Sequence, residues 1–111
     1  MIITLPHYKC LTWNKVMRAH WTKQAEMAKY AHQSLLEALL SIDWTPYTTT
    51  VNIHITAYLK RPMDSDNICD KLLIDGIKLR GLIVDDNPDY VVTTSTTSIK
   101  SKTDYTVIQI E

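Results

Sequence analysis

Seven aspartates fall within residues 63–90 (Asp64, Asp66, Asp70, Asp75, Asp85, Asp86 and Asp89), and no glutamate accompanies them. A solvated helix face favours Glu, the better helix former, so aspartate alone points to caps, turns or a metal site. Asp64 and Asp66 are two positions apart, and on an extended chain both carboxylates project to one side. Asp85 and Asp86 follow a helix-like stretch of roughly 14 residues, about 20 Å long, so only tertiary folding brings Asp86 to Asp64 and Asp66. Ionised carboxylates sharing a site repel one another unless a cation compensates. Oxygen-only donors suit Mg²⁺, with Mn²⁺ as substitute, and the scattered His and Cys residues disfavour zinc. A carboxylate-held ion of this kind orients a phosphodiester, neutralises its charge and lowers the pKa of an attacking water. Lys71, one helical turn before Asp75, either enters that site to stabilise developing charge or forms an i,i+4 surface pair. The competing reading makes Asp64-Ser-Asp-Asn67 and Asp85-Asp-Asn-Pro88 turn and N-cap chemistry. Their joint occurrence around one helix favours the metal site.

The opposite charge lies earlier. Residues 1–34 hold five bases, Lys9, Lys15, Arg18, Lys23 and Lys29, against the single acid Glu26. They alternate with Tyr8, Trp13, Trp21 and Tyr30, a mixture suited to phosphate contact and base stacking. Lys15, Arg18, His20 and Lys23 are the candidate DNA contacts here, joined by Lys60 and Arg61 beside the proposed metal site. Trp13 and Trp21 are expected in the core, and His7, His32 and His54 as ordinary surface or core histidines.

These groups must be positioned by one small domain, since the chain has 111 residues with 12 Lys+Arg against 12 Asp+Glu. That balance excludes a uniformly basic nucleic-acid coat and an acidic disordered chain. No apolar run reaches the roughly 18–20 residues of a membrane span. Cys10 and Cys69 form neither a disulfide framework nor a metal pair, so a reduced, cytoplasmic protein is the expectation. Met1–Leu5 reads as a strand, and His7–Trp21 as irregular. A helix runs from Thr22, as N-cap, to about Ser41. Val51–Leu59 alternates cleanly between apolar and polar residues and reads as a strand. Ile68, Leu72, Leu73, Ile77 and Leu79 mark a second helix closed near Gly81. Tyr90–Ile99 and Tyr105–Ile110 read as a closing hairpin. The order β-α-β-α-β-β predicts an α+β domain over 1–111, a mixed sheet with helices packed on one face.

Arg61-Pro-Met-Asp-Ser-Asp-Asn-Ile68, Lys71-Leu-Leu-Ile-Asp-Gly-Ile77 and Gly81-Leu-Ile-Val-Asp-Asp-Asn87 together resemble the RusA family of Holliday junction resolvases. The shared pattern is D-x-D-N, a helical lysine, an Asp-Gly step and a paired Asp. It covers residues 61–92 and extends more weakly to Leu11–Lys23. The resemblance implies a Mg²⁺-dependent, homodimeric endonuclease that nicks four-way DNA junctions symmetrically in recombination and repair, commonly in a prophage setting. It makes Asp64, Asp66 and Asp86 the essential metal-binding carboxylates, Asp85 their assistant and Lys71 the catalytic lysine. One departure stands out: Asp66 to Lys71 is one residue longer than in the family pattern. Either the start of the helix absorbs the extra residue, or Asp70 occupies the lysine's place. A binding module for DNA junctions without catalysis and a small-substrate metal-dependent phosphohydrolase are the alternatives.

Overall fold

The computed structural model describes residues 1–111. Its four strands, β1 (Ile2–Leu5), β2 (Val51–Leu59), β3 (Val91–Lys100) and β4 (Tyr105–Ile110), form one sheet in the order β1-β4-β2-β3. β2 runs parallel to β3 and antiparallel to β4, and β4 is antiparallel to β1. The helices are α1 (Trp13–Arg18), α2 (Trp21–Leu39) and α3 (Lys71–Leu79). This is the α+β, mixed-sheet architecture that the element order predicts. No helix is long and apolar enough to cross a membrane.

The alternation in β2 explains the layering. Ile53, Ile55 and Ala57 are buried and stand in register with buried Ile110, Ile108 and Thr106 of β4. Ile3 and Leu5 of β1 continue the same face. Against it pack Ala31 and Leu35 of α2 and Leu73 and Ile77 of α3, all fully buried. Each leucine or isoleucine among them contributes roughly 1.5–3 kcal/mol by leaving water. Ile2, Thr4, His54 and Gln109, on the opposite face, are exposed or half-buried.

The closing hairpin does not form. β3 and β4 lie on opposite sides of β2, and residues 101–104 cross its end. The crossing covers two strand spacings, about 10 Å, within reach of a link of that length at roughly 3.3–3.6 Å per residue. It is pinned on both sides: the Ser101 amide donates to the Leu59 carbonyl at 2.9 Å, and the Lys60 amide to Asp104 Oδ1 at 2.8 Å. Burial explains the choice. β4 offers Thr106, Ile108 and Ile110 to the core, whereas β3 offers hydroxyls at Thr94, Thr96 and Ser98 and therefore suits the edge.

The segment expected to be irregular contains α1, whose Thr12 side chain caps it by accepting from the Lys15 amide at 3.1 Å. With Val16 as its one buried residue, α1 has no periodic stripe to read. α2 starts at Trp21 with His20, not Thr22, as its N-cap. Trp21 is 72% exposed, against the expectation of a core residue, while Trp13 packs against the core edge. α3 starts at Lys71 rather than Ile68, because Ile68 and Cys69 are taken by the N-terminal segment: Thr12 bridges to Ile68, and the Cys69 amide donates to the Leu11 carbonyl at 2.9 Å.

α3 ends in a Schellman motif. The Gly81 amide donates to the Lys78 carbonyl at 3.0 Å and the Leu82 amide to the Ile77 carbonyl at 3.2 Å, with Gly81 at φ +82° and Leu82 fully buried. A side chain at Gly81 meets no atom within 4 Å, so only backbone strain opposes it. Gly81→Ala is therefore expected to lower stability by about 1–2 kcal/mol in urea unfolding. An unchanged midpoint would contradict this account of the turn.

Candidate acidic site

α3 carries Lys71, Asp75 and Lys78 at i, i+4 and i+7, a spacing that puts all three on one side of the helix. The loop after Gly81 returns Asp85 and Asp86 to that side. Lys71 Nζ meets Asp75 Oδ2 at 3.0 Å, while Lys78 Nζ meets Asp85 Oδ1 at 2.9 Å and Asp86 Oδ1 at 3.8 Å. Asp75, by hydrogen bond and then by charge, raises the pKa of Lys71, with a smaller pull from Asp86. Asp85, followed by Asp86, does the same for Lys78. The two lysines and three aspartates thus share one exposed electrostatic patch, which contributes little to stability because water screens it.

The hydrogen bond from Lys78, then the Asp86 amide, lowers the Asp85 pKa to about 2. A carboxyl depressed in the folded state contributes stability above its unfolded pKa of about 3.9, and that contribution is lost as pH falls toward its folded value. The Asp85–Lys78 pair should accordingly persist at pH 4 and break close to pH 2. Carboxyl ¹³C titration checks this: Lys78→Ala should move the Asp85 midpoint up toward the ordinary carboxylate range. A midpoint indifferent to Lys78 would rule the pairing out.

Asp64 and Asp66 are arranged differently from the extended-chain expectation. Asp64 is extended, but Ser65–Asn67 form a 3-10 turn, so the two carboxylates do not alternate along a strand. The turn is held by the backbone, the Asn67 amide donating to the Asp64 carbonyl at 2.9 Å. It docks on β3 through Ser65, whose hydroxyl accepts from the Ser98 amide at 3.0 Å and whose carbonyl accepts from the Thr96 hydroxyl at 2.7 Å. Both carboxylates are exposed, and Asp64 makes no capping hydrogen bond. The turn-and-cap reading therefore does not account for these two side chains. It does apply at Asp85, whose Oδ1 accepts from the Asp86 amide at 2.7 Å.

Of the four expected metal ligands, Asp85 and Asp86 already share one cation, the Lys78 ammonium. No hydrogen bond or ion pair links them to Asp64 or Asp66, and no three His, Cys, Asp or Glu side chains are gathered so as to hold a metal ion. The donor chemistry is of the kind a hard divalent cation takes: all four are carboxylates, Asp64, Asp66 and Asp86 exposed and Asp85 half-buried, two of them drawn to a single positive charge. Lys71 adopts the i,i+4 pair with Asp75. Asp70, the alternative occupant of the lysine position, directly precedes α3, where burial raises its pKa.

Among the candidate DNA contacts, Lys15 and Arg18 are exposed in the last turn of α1. Lys23 pairs with Glu26 at 3.4 Å. His20 is committed to capping α2, its Nδ1 lying 2.9 Å from the Thr22 hydroxyl and 3.3 Å from the Thr22 amide. Lys60 and Arg61 are exposed where β2 runs out, between the Asp104 contact and Asp64. Sequence reasoning passed over Lys78 and Ser65. Lys78 was within reach, seven residues after Lys71 and so on the same helical face. Ser65 carried no signal, since its role depends on the placement of β3. Comparison with family models, curated proteins and solved structures finds no match to this chain.

Proposed function

We propose that the chain is a Mg²⁺-dependent, structure-selective DNA endonuclease of the RusA type, acting on four-way junctions as a homodimer. The observation carrying this reading is the arrangement of D-x-D-N, lysine, Asp-Gly and Asp-Asp elements around α3, where Asp75, Asp85 and Asp86 share a patch with two lysines. Asp64, Asp66, Asp85 and Asp86 would hold the ion. When bound, Mg²⁺ (or Mn²⁺) supplies charge neutralisation at the scissile phosphate and a water of lowered pKa. Lys71 supplies positive charge beside the leaving oxygen once its partner Asp75 releases it. Lys15, Arg18, Lys23, Lys60 and Arg61 hold backbone phosphates, with His20 at the helix entrance beside them. A four-way junction has approximate two-fold symmetry, and two sites related by a two-fold axis match the paired cuts it needs.

The test is incubation of a synthetic four-way junction and its matching linear duplex with Mg²⁺, Mn²⁺ or EDTA. Paired nicks in the junction alone, dependent on the metal, are expected. Junction binding without cleavage under either metal would replace this reading with that of an inactive binding module, and equal cutting of the linear duplex would remove the structure selectivity.

A further inference from the structure

A separate cleft lies between α2 and the end of α3, away from the Lys71–Asp75 and Lys78–Asp85 pairs. It is an open cleft of about 590 Å³, lined by Lys29, His32 and Gln33 of α2 and by Arg80 beyond α3, with apolar surface from Leu36 and Leu79. No acidic residue lines it, although the chain has as many acids as bases. Lys29 and Arg80 join none of the salt bridges that occupy Lys9, Lys23, Lys71 and Lys78. Two nitrogens here, His32 Nε2 and Arg80 Nε, are buried without a hydrogen-bond partner. Both are closed off from solvent, so what the cleft offers an acceptor is the remainder of the Arg80 guanidinium, which makes no hydrogen bond or salt bridge.

Gly76 adds a second observation. A Cβ at this buried position would come within 2.9 Å of His32 Cδ2 and 3.3 Å of Leu35 Cδ2. Only a glycine lets the imidazole lie this close to the α3 backbone, with Nε2 also 3.6 Å from that Cβ position, so the ring forms a fixed wall between α2 and α3.

We infer that this cleft binds the phosphate group of a nucleotide-sized phosphate ester. The Arg80 guanidinium donates to the oxygens, Lys29 supplies charge at the mouth, His32 forms part of the wall, and the organic part rests on Leu36 and Leu79. An arginine fork with a second cation is the donor set that recognises phosphate. The volume is that of a small-ligand site, roughly 300–1,000 Å³. The inference rests on none of the acidic-site chemistry. A nucleotide in a DNA strand and a free nucleotide present the same group.

Deoxyadenosine monophosphate and a 12-nucleotide single strand serve as the two probes, read by ¹H–¹⁵N signals of the His32 ring and the Arg80 side chain. Both signals should shift on titration, and Arg80→Gln and Lys29→Ala should each weaken binding by about tenfold. Tighter binding of the strand assigns the cleft to nucleic acid, and tighter or equal binding of the monophosphate assigns it to free nucleotide. Lys29 is exposed on α2, so Lys29→Ala keeps the test valid should Arg80→Gln fail to fold. Silence of both signals with both probes, or shifts unchanged by both substitutions, would overturn the inference.

Discussion

Asp86→Asn is expected to slow Mg²⁺-dependent junction cleavage by on the order of 10²–10³-fold while junction binding remains within a few-fold of wild type. The substitution keeps the shape of the side chain and removes one negative charge. In the free protein that charge makes one long, exposed contact with Lys78, 3.8 Å away, and exerts a small pull on Lys71, so the fold should not register its loss. A hard divalent ion would register it, because each ionised oxygen in its shell counts directly toward affinity and toward polarisation of bound water. Asp66→Asn should behave alike, as an exposed side chain on a turn held by backbone and Ser65 contacts. Lys78→Met is the informative partner. If Lys78 is only a counter-ion for Asp85 and Asp86, its removal should leave cleavage largely intact or improve metal affinity, whereas Lys71→Met should depress cleavage. Wild-type rates from both Asp86→Asn and Asp66→Asn would remove these carboxylates from the chemistry and take the nuclease assignment with them. Matching thermal midpoints establish that the comparison concerns the site and not the fold.

The parts of this site were legible because they are short motifs, and their relative placement was not because it depends on topology. Alternation in Val51–Leu59 is strong enough to assign β2 and its buried face by inspection, and the burial of Val51, Ile53, Ile55, Ala57 and Leu59 agrees residue by residue. The partners of β2 are a different matter. Two adjacent β-rich segments joined by five polar residues look like a hairpin, but pairing is decided by which strand can bury both flanks. Thr94, Thr96 and Ser98 consign β3 to the edge, and β4 slips between β1 and β2. Asp64 and Asp66 show the same limit at smaller scale. Their i,i+2 spacing assumes an extended chain, yet Ser65 bonds to β3 and curls the segment into a 3-10 turn. At Lys71 the sequence held both answers open, and the i,i+4 geometry with Asp75 is the one the free chain adopts.

Ile55→Ala should lower unfolding free energy by about 2–5 kcal/mol, from lost transfer energy plus the cavity left behind. Ile55 is 1% exposed near the middle of β2, facing Ile108 across one ladder and Thr96 across the other. A small domain holds only about 5–15 kcal/mol in total, so this one truncation removes a large share. Thr4→Ala, exposed on the opposite face of β1, should change stability by about 0.5 kcal/mol or less. Urea unfolding followed by tryptophan fluorescence reads both, because Trp13 and Trp44 pack against the core. Equal effects would mean that α2 and α3 do not cover this face. The consequence reaches the acidic site. Asp64 and Asp66 follow the end of β2, while Asp85 and Asp86 follow α3, so the shared core is what relates one pair to the other. Cleavage by Ile55→Ala should therefore match wild type at low temperature and disappear together with the cooperative unfolding transition, at a lower temperature than in wild type. Cleavage lost well below that transition would show that the acidic elements shift within a folded core.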